Sequence, residues 1–176
     1  MSIQNLQRPM ETEYSEYAAD YVALVPENDV LKVLKEQVEI VREIISGIPV
    51  VQELFRYAPE KWSIRELVGH LNDGERVFGF RAFTFARGDA AALPGFDENE
   101  YVRQSNSEQT QLQNLLAEFI ALRQSNMMML EQLKEEDWER VGVASENPVT
   151  VRAIVWIMAG HVRHHLNILT ERYLQK

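Results

Sequence analysis

The segment VRAIVWIMAGHVRHHLNILTERYL, Val151 to Leu174, decides how the rest of the chain is read. Val155, Met158, Val162 and Leu169 recur along it at helical spacing and give it an apolar stripe. Of the chain's four histidines, three fall here, at His161, His164 and His165. His161 and His165 are four residues apart, so on a helix one stands above the other, with Cβ atoms about 6 Å apart. Two imidazoles placed in this way can meet one cation, with bonds of roughly 2.0–2.1 Å if it is zinc. His165 lies within the stripe and His161 at its margin, which favours that pair. His164 belongs to the adjacent face with Ile157, Gly160 and Glu171, and a His161/His164 pair at three-residue spacing stays open.

The fourth histidine, His70, belongs to a second helical pattern. That helix begins at a capping box, Ser63-Ile64-Arg65-Glu66, in which Ser63 and Glu66 satisfy each other's backbone amides. Trp62 and Leu67 occupy the two positions of a hydrophobic staple, and the pattern runs to about Arg87. His70 sits on its apolar stripe with Leu67, Leu71 and Phe78. It lies about 10 Å into its helix, and His165 lies about 13 Å from the end of the other, at 1.5 Å per residue. Antiparallel packing of the two helices therefore brings the histidines to similar height. Each cluster follows a mid-helix glycine, Gly69 or Gly160, which costs about 1 kcal/mol relative to alanine. Close backbone approach around a shared site and simple tolerance of glycine account for these equally well.

Outward from these two helices, Asn28 or Asp29 caps a first helix whose apolar positions run from Val30 to Ile48, with Pro49 marking its end. A long connection bracketed by Gly88 and Pro94-Gly95 reaches about Asn106 and suits parallel second and third helices. The third helix carries Leu112, Leu115, Leu116, Phe119, Leu122, Met129, Leu130 and Leu133. Glu135 to Val149 reads as another connection, and Thr150 caps the histidine-rich helix. Tyr14, Tyr17, Tyr21 and Val22 form a weak apolar pattern able to wrap onto the core. No stretch reads as a strand. The expectation is a single all-α domain over residues 1–176, with an N-terminal segment (1–25) and a four-helix bundle (26–174).

Composition narrows the function. At 176 residues and 45% hydrophobic content the chain fills one domain with a substantial core. A net charge of -9 argues against nucleic acid or an anionic membrane as partner. The absence of cysteine removes disulfides, thiolate ligands and a cysteine nucleophile. Met1 to Glu16 is polar, without an apolar signal core, and no apolar run approaches the ~18 residues of a membrane span, so a cytoplasmic protein is expected. Arg163 and Arg172 are expected to pair with surface acids, and Met127-Met128-Met129 to fill core space. Neither an HExxH motif, a phosphate-binding glycine loop nor a GxSxG elbow is present.

Four stretches carry a family likeness. Lys61–Arg76 (KWSIRELVGHLNDGER) resembles the first histidine segment of the DinB-like family of metal-dependent hydrolases. Phe85–Asp89 and Leu93–Asp97 are similar to its central connection, and Ala159–Leu169 (AGHVRHHLNIL) resembles its closing histidine segment. The likeness spans about Tyr17 to Leu174. It implies a DinB-like four-helix bundle with a long connection between the second and third helices. It also implies a divalent metal held by His70, His161 and His165, and a homodimer.

Zinc or nickel suits three imidazoles best, with iron or manganese as alternatives. Such a site leaves coordination positions open, which suits hydrolysis of an amide or ester in a small-molecule substrate. Asp73, Asp97 and Glu98 are the candidate bases, or partners that orient a histidine. Metal-dependent thiol transfer is the alternative within the same fold. A non-catalytic metal-binding or interaction protein is the alternative outside catalysis.

Overall fold

Side-chain caps set the start of three of the four long helices. Asp29 accepts from the Lys32 amide and opens α2 (Val30–Ser46). The expected capping box forms: Ser63 and Glu66 exchange bonds at the head of α3 (Ile64–Ala86). Thr150 accepts from the Ala153 amide and opens α7 (Val151–Ile168), which a π-helical turn continues over Leu169–Tyr173. The other long helix is α5 (Leu112–Leu130). Short helices fill the connections: α1 (Ala19–Ala23), α4 (Glu98–Gln104) and α6 (Glu135–Trp138). This computed structural model describes residues 6–175; Met1–Asn5 of the expected N-terminal segment and Lys176 lie outside the described residues.

Cross-bundle bonds give the helix directions. Asn72 bonds the Leu115 carbonyl and Glu75 meets Arg123, so α3 and α5 run parallel. The Tyr173 hydroxyl donates to the Trp62 carbonyl, which puts the end of α7 beside the start of α3 and makes that pair antiparallel. Val30 and Leu34 share one apolar cluster with Met127 and Leu130, and Val41 and Ile45 share another with Leu112 and Leu116, so α2 opposes α5. The bundle is thus up-down-down-up, and the long connection from α3 to α5 is the crossover that parallel neighbours require.

Two apolar clusters make the core. One gathers Val30, Leu34, Ala82, Met127, Ile154 and Met158 toward one end. The other gathers Val41, Ile45, Leu67, Leu116, Phe119 and Leu166 toward the opposite end. Between them lies a layer of buried polar side chains that includes Gln37, His70, Glu75, Arg123, His161 and His165. The functional groups lie in this layer.

The connection from Glu135 to Val149 departs from the expectation of no strand. It forms α6 and then an antiparallel hairpin, β1 (Val141–Ala144) with β2 (Asn147–Thr150). Its turn residues, Ser145 and Glu146, both have positive φ, at 51° and 66°. Asn-Gly is the usual sequence for such a turn, and Pro148 inside the second strand removes a ladder donor, so the usual strand signals are missing. The crossover pins to this hairpin through Leu93, whose amide donates to the Val143 carbonyl and whose carbonyl accepts from Ser145. The N-terminal segment lies along α7, tied by Glu13 to Thr150 and Arg152 and by Glu27 to Arg163.

Candidate metal centre

His70 projects from the middle of α3, and His161 and His165 from successive turns of α7. Antiparallel packing brings all three together, as their depths along the helices require. One ring nitrogen from each lies within 4.8 Å of the other two. The Nε2 atoms of His70 and His161 are 2.9 Å apart. All three residues are buried, with 4%, 5% and 8% of their surface exposed. His164 is not among the three converging rings; it lines the same cavity, edge-on to Tyr21 and His165.

Burial decides the protonation state. It pulls the His70 pKa down to about 4 and those of His161 and His165 well below their usual value, and the neighbouring imidazoles add to the effect. Three neutral rings therefore converge, each with a lone pair to offer. Nδ1 of His70 is buried without a hydrogen-bond partner. The donor set and its convergence fit a divalent cation.

Aromatic rings and one glycine fix the histidines. The Trp62 indole lies 4.7 Å from the His70 ring and stacks on His165 at 6.2 Å. Phe78 and Tyr21 meet His161 edge-on at 5.3 and 5.7 Å. A Cβ at Gly74 would stand 2.7 Å from Cε1 of His161, so glycine makes the space that the ring fills. Sequence reasoning missed Gly74, although a mid-helix glycine one turn after His70 was a usable signal. The glycines it did single out serve other contacts. Gly69 admits the Ser107 hydroxyl, and Gly160 admits the Tyr21 carbonyl, which would lie 1.9 Å from an added Cβ.

Also missed was a second polar cluster in the same layer. Arg123 forms a bidentate pair with Glu75, at 2.9 and 2.6 Å, and donates to the Leu34 carbonyl and to Gln37. Gln37 donates in turn to the Ala159 carbonyl, and Asn126 to Glu75. This network links all four long helices. Gln37 and Arg123 stand on the inward stripes of their helices, where an apolar count passes over them.

The histidines open onto a cavity of about 660 Å³. Its wall comes from the N-terminal segment, the crossover and the hairpin as well as α3 and α7, with Tyr17, Tyr21, Trp62, Phe78 and Phe96 among its aromatic residues. Of the three candidate acids, Glu98 lines this cavity. Asp97 caps α4 by accepting from the amides of Asn99 and Glu100. Asp73 is half-buried 4.0 Å from Arg76, and its pKa is raised by burial.

Comparison with known proteins agrees with this architecture. A family model described as the DinB superfamily matches residues 34–169. No curated protein matches the sequence. Among solved structures, YfiT from Bacillus subtilis superposes with a TM-score of 0.72 at 18% identity, over 93% of this chain and 89% of that one. YfiT is described as a probable metal-dependent hydrolase with an unusual four-helix bundle topology. Among the described residues, no helix is long and apolar enough to cross a membrane.

Proposed function

The chain belongs to the DinB superfamily, and on that premise we propose that it is a divalent-metal-dependent hydrolase of a small-molecule ester or amide. His70, His161 and His165 hold the metal. The observation that carries this reading is the convergence of three neutral imidazole nitrogens, within 4.8 Å of one another, on the wall of a 660 Å³ cavity. Zinc and nickel suit an all-imidazole donor set better than the hard cations do. Bound there, such a cation supplies Lewis acidity to a substrate carbonyl and to water.

The chain's own residues do the rest. Trp62 and Phe78 hold the imidazole planes, so little ring freedom is lost on binding. Burial keeps the rings neutral, so their lone pairs are available without a proton first being lost. The aromatic wall offers an apolar seat to the substrate and limits access of bulk water. Glu98 supplies the carboxylate on that wall, and we assign it the proton-accepting role.

The test uses protein purified without a histidine tag, because a nickel column can itself load such a site. An ester and amide panel, and an electrophile offered with several low-molecular-weight thiols, are each assayed with and without added metal. Metal-dependent turnover of an ester or amide, lost in His70→Ala, is expected. Turnover confined to the thiol assay would replace hydrolysis with thiol transfer. Failure of both assays, with metal still raising the melting temperature, would leave a non-catalytic metal protein.

A further inference from the structure

Among the described residues, one cationic side chain lines the cavity, and none of their acids pairs with it. Arg81, on the α3 wall seven residues beyond Gly74, lies about 10 Å along the helix axis from the level of His161. It is half-buried, and its Nη2 donates to the Pro94 carbonyl at 2.9 Å and to the Ser145 hydroxyl at 3.0 Å. Both acceptors are neutral, and no acidic side chain pairs with Arg81 among the described residues. In a chain with 27 acidic residues against 18 basic ones, that is a notable omission. Most other buried or half-buried arginines have an acid, Arg123 with Glu75, Arg152 with Glu13 and Arg163 with Glu27, while Arg8 donates to the carbonyls of Val22 and Val25 away from the histidine cavity. Burial accordingly lowers the Arg81 pKa with nothing to oppose it.

A guanidinium taken partly out of water without a counter-charge is costly, and a bound anion offsets that cost. Both hydrogen bonds use Nη2, which leaves the N–H groups of Nη1 and Nε, on either side of the side-chain stem, each able to donate singly to an anionic oxygen. Between Arg81 and the histidines the wall is largely aromatic, with Phe78 between them on the same helix. We propose that Arg81 is the specificity-determining residue of this cavity and that the substrate carries a carboxylate at the end remote from the bond acted on. An apolar or aromatic spacer of about 10 Å separates the two. This inference rests on the reading of the cavity as a substrate site, but not on the identity of the reaction.

The test is a calorimetric titration of the full-length chain, zinc-loaded and metal-free, with 4-phenylbutanoate and with the neutral alcohol 4-phenyl-1-butanol. At least a tenfold preference for the acid is expected in the wild type in both forms. The preference should vanish in Arg81→Gln and be largely retained in Arg81→Lys. The Nε–H resonance of Arg81 should shift with the acid and not with the alcohol, a readout that a purely structural bond to Pro94 and Ser145 does not give and that needs no variant to fold. Equal binding of acid and alcohol by the wild type, an unmoved Arg81 resonance, or a preference unchanged in Arg81→Gln would overturn the proposal. The metal-free arm keeps this result separate from the hydrolase reading. Failure of zinc to bind would remove the latter while leaving the anion preference to be measured.

Discussion

Two clusters share the buried polar layer of this bundle, and they are built in opposite ways. In the Arg123–Glu75–Gln37–Asn126 cluster, donors meet acceptors: the guanidinium is bidentate to a carboxylate, and its third nitrogen is spent on Leu34 and Gln37. The cluster touches all four long helices, and Arg123 is fully buried, with none of its surface exposed. In the histidine cluster, imidazole meets imidazole with no charged partner, Nδ1 of His70 has no partner, and the group opens onto a cavity. The first is complete within the chain and specifies how the helices pack. The second is complete only with something added. Burial alone does not distinguish structure from site; the balance of donors and acceptors does.

The largest expected effect breaks the closed cluster. Arg123→Met leaves Glu75 buried without its partner and should cost about 3–5 kcal/mol in urea unfolding. Combining it with Glu75→Gln should recover part of that loss. In the open cluster, His70→Phe should cost the metal-free protein far less than Arg123→Met, because it removes an unpartnered Nδ1 together with a single neutral contact to His161. The same variant should lose the stabilisation that metal confers, about 2.7 kcal/mol at a hundredfold excess over Kd. A large loss of metal-free stability in His70→Phe would erase the distinction between the clusters.

Acid should act on the open cluster first. The folded pKa of His70 is depressed from 6.5 to about 4, so the unfolded chain takes up the proton first as pH falls. Stability of the metal-free protein is then complete above about pH 6.5 and lost progressively towards pH 4, by about 3 kcal/mol from His70 alone. In His70→Phe the slope across this window should become shallower. The carboxylate of Glu13 is held below its usual range, although burial opposes this, by its bonds to Arg152, Met10 and Thr150. Its contribution is present above 4.5 and disappears below that, a separate window.

Smaller effects sharpen the comparison. Gly74→Ala drives a methyl group to 2.7 Å from His161 and should cost about 1–3 kcal/mol as overpacking, with metal affinity reduced further than stability implies. His164→Ala, outside the converging set, should change metal affinity least of the histidine variants, as read by calorimetric titration.

Much of this was legible in the sequence because long helices announce themselves by period and caps. Ser63, Glu66 and Thr150 cap as their spacing predicts, and the inward stripes place His70, His161 and His165 at one level. What was not legible has physical reasons. The hairpin turn is Ser-Glu where glycine is usual, and Pro148 sits in its second strand, so neither turn nor strand chemistry marks it. Arg123 and Gln37 interrupt apolar stripes as isolated polar residues, and pairing across 48 and 86 residues leaves no local trace. Glu98 stood beside Asp97 as an equal candidate, and only the folded crossover turns one into a helix cap and the other towards the cavity.

The central claim is that the open cluster is a metal site, and equilibrium metal content tests it most directly. Tag-free protein dialysed against buffered zinc and analysed by elemental mass spectrometry should hold one ion per chain. The Arg123→Met/Glu75→Gln protein, if folded, should hold the same, and the protein with His70, His161 and His165 all changed to alanine should hold none. Wild-type protein without bound metal, or the triple variant retaining it, would contradict the account.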